Sequence, residues 1–177
     1  VGLTVAIPTP PGSSAPLTKP FVASLPVPTY DDGSAIPTGS VESVGAFVFR
    51  SGGGGQVWDQ AGKSWVAIPT DAVLATMKPL GASPPTGSGP WTVTLVAVGQ
   101  KDAGGQPVYA AASGATPAYY LRGFARAKRS GADQTGLSGP SPTFTFTDSQ
   151  ANARFAVLLD TPTTTPDAAT RARMQLK

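Results

Sequence analysis

The stretch "AYYLRGFARAKRSGADQTGLSGPSPTFTFTD", residues 118–148, decides the fold. Read with the two-residue period of a strand, Tyr120, Arg122, Phe124, Arg126 and Lys128 share one face, and Tyr119, Leu121, Gly123, Ala125 and Ala127 share the other. The second set is apolar and small, as a face packed closely against another sheet requires. The first is a ribbon of aromatic and basic residues, whose long stems can cover apolar surface while the charges stay in water. "SGADQTGLSGPSP" reads as a turn, and "TFTFTD" as a further strand with Phe144 and Phe146 inward.

Upstream, "WTVTLVAVG" places Trp91, Val93, Leu95 and Ala97 on one face and Thr92, Thr94, Val96 and Val98 on the other, with so few polar residues that both faces are expected to be covered. "QKDAGGQPVYAAA" gives a loop and another strand. Further back, "VGAFVFR" and the glycine run of "GGGGQVWDQAGKSWVAI" read as three short strands joined by two loops, with Asp59 to Lys63 as the second turn. "TDAVLATMKP" is the one helical candidate, capped by Thr70 or Asp71 and stopped by Pro79. "RFAVLLD" and "RARMQLK" are expected to close the chain as strands.

Residues 1–40 carry proline at short intervals and no sustained period, which predicts an extended arm. Its apolar residues are too many for a purely solvated linker. Leu3, Val5, Ile7, Phe21, Val22 and Leu25 are therefore candidate arm contacts, made either on the arm's own domain or on a neighbouring subunit. The expected organisation is an arm at 1–40, a hairpin region with one short helix at 41–80, a linker loop at 81–90 and a sandwich-like domain at 91–177. The fold class is all-β: a β-sandwich or open barrel of short antiparallel strands with an extended Pro-rich N-terminal arm.

Composition narrows the chemistry. Of 177 residues, 21 are glycine and 19 proline, which favours turns and extended segments over helices. The chain has no cysteine and no histidine, so disulfides, thiolate ligands, cysteine nucleophiles and imidazole bases are all missing. Glu42 is the only glutamate, and the aspartates are scattered apart from Asp31 and Asp32. A hydrolase pairing Glu42 with an aspartate is the catalytic design left open. No enzyme is expected, nor any catalytic residue, metal site or cofactor. "TYDDGS" reads as a turn in preference to a calcium loop, because no full ligand set follows it.

Two nucleotide-type motifs fail on their spacing. In "GGGGQVWDQAGKSW", residues 52–65, a phosphate loop needs glycine five positions before Gly62, and Val57 stands there. "RGFARAKR", residues 122–129, opens like an RNA-recognition strand, yet Arg126 and Arg129 occupy its later stacking positions. Nucleic acid is not an expected partner, and no apolar run is long enough to span a bilayer as a helix.

Residues 117–147 resemble the last two strands of a fibronectin type III domain. Tyr119 or Tyr120 opens a strand that alternates to Ala127, and Gly136, Ser138, Pro140 and Ser141 follow as Gly-x-Ser-x-Pro-Ser. The resemblance implies a β-sandwich used in adhesion or assembly, without catalytic residues. The leucine expected before the tyrosine is missing, and two strands are expected beyond the usual end. The Ala, Gly, Pro and Thr richness and "VWDQAGKSWV" also resemble phage-tail and fibre proteins.

The sequence therefore leads to a non-catalytic structural or decoration component of a large assembly, a virion or phage-tail-like particle, which braces other protein subunits of a homo- or hetero-oligomer. Synthesis in the cytoplasm without a signal peptide, and residence in a virion or extracellular particle, are expected; a membrane is not. Tyr120, Arg122, Phe124, Arg126, Lys128 and Arg129 form the candidate partner-binding set. The alternative is an extracellular or surface binding module, for carbohydrate, that stacks sugars on Trp58, Trp65, Tyr109 or the Tyr120/Phe124 face.

Overall fold

The computed structural model describes residues 2–10, 12–16, 22–52, 54–81, 89–94, 100–110, 112–113 and 117–147, and among these are eleven short-to-medium strands, one turn of α-helix and one turn of 3-10 helix at Thr38–Ser40. The strands are β1 (Leu3–Thr4), β2 (Ser14–Pro16), β3 (Val22–Leu25), β4 (Thr29–Tyr30), β5 (Val41–Arg50), β6 (Gln56–Asp59), β7 (Ser64–Ala67), β8 (Trp91–Thr94), β9 (Tyr119–Arg129), β10 (Ala132–Leu137) and β11 (Thr145–Thr147), with α1 at Asp71–Leu74. The all-β, sandwich-like character expected from the sequence is what the molecule shows.

A five-stranded antiparallel sheet in the order β10-β9-β5-β6-β7 is the centre of the structure. The long partners β5 and β9 run together from Val41↔Ala127 to Arg50↔Tyr119, with one bulge at Glu42. The glycine run resolves as hairpins: Gly54 and Gly55 take positive φ in the first turn, and the Asp59 carboxylate accepts the Ala61 and Gly62 N–H groups in the second. Asx-turn chemistry of this kind fixes a reversal between short strands without any phosphate.

Both faces of the sheet are covered. Val44, Ala46, Val48, Trp58, Tyr119 and Leu121 on the first face join Ala23 and Leu25 of β3, Val93 of β8 and Phe144 and Phe146 in one buried cluster. There β3 pairs with β8, β1 with β4, and β11 with β2, the last in parallel. On the second face Phe47, Phe49, Val57 and Phe124 close around Leu74 of α1. A strand with apolar residues on both sides, such as "GAFVFR", needs two covering layers, and both are present.

Four details differ from the sequence expectations. Residues 132–137, read as part of a turn, form edge strand β10 after a tight reversal at Ser130 and Gly131, which take φ of 51° and 81°. Polar composition hid it, since an edge strand needs apolar residues on neither its rim nor its outer side. In β8 only Val93 is buried while Thr92 and Thr94 are exposed, so one face is covered over the described residues. Around 100–110 a tight turn with a single Lys101↔Pro107 bridge replaces the expected strand. The helical candidate, by contrast, is present where expected, as one turn with Thr70 as its cap.

The fourth concerns the arm. Within residues 2–40 the chain adds β3 to the core, with Ala23 and Leu25 buried, and lays β1 across the β9 and β10 backbones. Prolines at 20, 26 and 28 left only four residues of alternation there, too few to stand out. Residues 1–147 form one compact unit, and most of the linker loop expected at 81–90 lies outside the described residues. The strands expected at "RFAVLLD" and "RARMQLK" lie outside the described residues.

Candidate functional site

Strand alternation along β9 carries Tyr120, Arg122, Phe124, Arg126 and Lys128 onto the second sheet face, as the sequence implied. The rings are partly consumed by packing. Tyr120 stacks on Phe49 with centroids 4.8 Å apart, and Phe124, 1% exposed, meets Phe47 edge-on at 5.7 Å. Burial raises the Tyr120 phenol above its ordinary value.

The cations are organised by the segment that covers them. Arg122 donates Nη1 and Nη2 to the two Asp71 carboxylate oxygens at 2.7 and 3.0 Å and Nε to the Ser138 carbonyl at 2.8 Å. This bidentate fork is the geometry in which a guanidinium binds a carboxylate most specifically. The hydrogen bond to Arg122 holds the Asp71 carboxyl below its usual range, and Asp71 in turn raises Arg122. Arg126 donates Nη2 to the Ala75 carbonyl at 3.1 Å, one of the orphan acceptors at the end of α1. Two arginines, four residues apart on a strand, thus hold both ends of one helical turn.

Lys128 pairs with Glu42 at 3.0 Å, and that hydrogen bond raises the lysine. The bulge at Glu42 aims the carboxylate at this partner. Arg129 belongs elsewhere: its Nη2 donates to Asp32 at 2.7 Å and its guanidinium lies 4.4 Å over the Tyr30 ring. The Asp32 carboxyl is held well below its usual range, first by the Ser34 hydroxyl and N–H and then by Arg129. The structure therefore gathers five of the six candidate residues and sets Arg129 apart.

Beyond the end of α1 the ribbon borders a cleft of about 280 Å³, lined by Ser43, Thr76, Met77, Lys78, Pro79, Gly81, Phe124 and Arg126. Its wall is anchored where Leu80 exchanges two backbone hydrogen bonds with Ala46, at 2.8 and 3.0 Å. Gly45 permits that approach, because a Cβ there would fall on the Leu80 carbonyl and 2.9 Å from the Pro79 Cβ. Sequence reasoning missed the 71–81 half of this site. Phe47 and Phe49 were the available signal, since an apolar second face must be covered by something.

The other candidates are placed as follows. Leu3 and Leu25 are buried, Val5 is half-buried against Ala125 and Ala127, Ile7 and Val22 are exposed, and Phe21 lies outside the described residues. Trp58 and Tyr109 are in the core, and Trp65 is half-buried with its Nε1 donating to the Val108 carbonyl and Arg50 lying 4.6 Å over its ring. Asp31 and Asp32 sit in a turn and accept from Gly2, Thr4 and Ser34. Among the described residues no group of three acidic side chains converges as a metal site, and no helix is long and apolar enough to cross a membrane.

No family model, curated protein or solved structure matches the chain.

Proposed function

We propose that this chain is a non-catalytic structural component of a large assembly, a virion or phage-tail-like particle, built on a fibronectin type III-like sandwich. The observation that carries the reading is the two-sided character of the N-terminal segment. One side lies on the chain's own sheets through Leu3, Ala23 and Leu25. The other side presents Ile7, Val22 and Val27, which are 50%, 39% and 46% exposed. A segment with apolar residues on both sides gains most by lying between two surfaces. The carboxylates support the same reading, since Glu42, Asp32 and Asp71 each bond to a cation of their own chain.

Two features support the fibronectin-type likeness. The tyrosine strand β9 lies between β5 and β10 as strand F lies between C and G in sandwich folds of the immunoglobulin kind, although β10, and not the "TFTFT" strand that the resemblance makes the last one, is the partner here. The Tyr119 hydroxyl accepts the Ala110 N–H at 3.0 Å and so ties the start of β9 to the preceding segment, a role similar to that of a tyrosine corner but over a longer span of nine residues. The Gly-x-Ser-x-Pro-Ser segment also acquires a role: the Ser138 and Ser141 hydroxyls accept the Gly123 and Leu121 N–H groups where prolines interrupt the ladder.

A photo-crosslinking side chain placed at Ile7 or Val27 tests the proposal. In the native source it is expected to join other protein subunits of one particle, and in the purified chain to give no such product. Identical products in both settings would overturn the bracing role.

A further inference from the structure

The cations of the second sheet face divide into two groups. Arg122 and Lys128 are neutralised by Asp71 and Glu42 of the same chain. Arg126 and Lys78 have no carboxylate partner among the described residues, and both line the cleft beside residues 76–81. Among the described residues no acidic side chain lines it. We propose that this cleft binds a small carboxylate on an apolar stem, with Arg126 as the carboxylate ligand and Lys78 as a second cation at the rim.

The geometry favours that ligand class for three reasons. The bond from Arg126 Nη2 to the Ala75 carbonyl, together with the Phe124 ring 5.7 Å from the guanidinium carbon, fixes the side chain before any ligand arrives. Its remaining N–H groups form a planar fork that matches a carboxylate edge. Ser43 adds a hydroxyl, the Thr76 hydroxyl being spent on the Val73 carbonyl at 2.7 Å, while Met77 and Pro79 give an apolar wall that rewards a hydrocarbon stem. Inorganic phosphate has no stem to bury, and Pro79 offers it no N–H. The volume, at the small end for ligand pockets, suits a ligand of a few carbon atoms. This inference does not depend on the assembly role.

Amide chemical-shift titration of the full chain with sodium butyrate, against sodium phosphate at constant ionic strength, is the test. Butyrate is expected to shift the amides of Ser43, Thr76, Lys78 and Gly81 saturably. Arg126→Gln is expected to weaken the affinity by about tenfold or more, as loss of a charged hydrogen-bonding partner does. Lys78→Gln, at an exposed position, is expected to weaken it less and keeps the test valid should the Arg126 variant lose its fold. Absence of saturable shifts at the cleft, affinity unchanged in both variants, or phosphate binding there as tightly as butyrate would overturn the assignment.

Discussion

Gly136 sits on β10 where the Leu3 backbone crosses the sheet. A Cβ built there would fall on the Leu3 carbonyl, 2.9 Å from the Leu3 Cβ and 2.9 Å from Val5 Cγ2, and one on Gly123 would fall 3.0 Å from Val5 Cγ1. These two glycines are the docking groove for the N-terminal segment, and backbone distance is what makes it shallow enough to hold. Gly136→Val therefore expels residues 2–5 while β9 and β10 stay paired, at a cost of about 1–3 kcal/mol for the steric conflict. Amide exchange reads it directly: Leu3 and Thr4, which pair with Tyr30 and Thr29, are expected to lose protection. Unchanged protection there would mean that the segment is held by something other than this contact.

At the scale of elements, the helical turn α1 is a clamp closed from the sheet side. A turn of four residues has no helical stability of its own. Leu74 in the second-face cluster and the two arginine contacts hold it in place. The sign of its pH dependence follows from Asp71, whose folded value is lowered by the hydrogen bond to Arg122. The stabilisation is complete above the ordinary aspartate value of about 4 and is lost as pH falls through the lowered folded value. The Asp71 side chain is 66% exposed, so solvent screening keeps the whole effect under about 1 kcal/mol. Asp71→Asn is expected to raise exchange at the Leu74 and Ala75 amides near neutral pH and leave β5 and β9 unchanged. Exchange that stays slow in the variant down to acid pH would show that Leu74 and the Arg126 contact hold the turn without Asp71.

The same elements show what a sequence can and cannot disclose. The period of β9 was legible because eleven residues alternate without interruption, and the hairpins were legible because glycine and Asp59 carry their own turn chemistry. Strands β3 and β10 were not, the first because prolines frame four residues and the second because an edge is polar. The ribbon of aromatic and basic residues was visible, but its neutralising partners were not: Asp71 lies 51 residues from Arg122, and Asp32 lies 97 from Arg129. Spacing cannot reveal pairings that only the closed sheet creates. The cleft was invisible for the same reason, being formed by three segments with no shared period.

For the whole molecule, the first 40 residues link fold to function. Within residues 1–147 they complete the sandwich, and they also supply three of its exposed large apolar side chains, Ile7, Val22 and Val27. The proposed subunit bracing would use that outward side, and association would then bury surface that the isolated chain leaves in water. Sedimentation of the native chain in a lysate of its source, compared with the purified chain alone, tests this most directly. The account predicts a very large native particle and a small purified species. The same small species in both samples would contradict it.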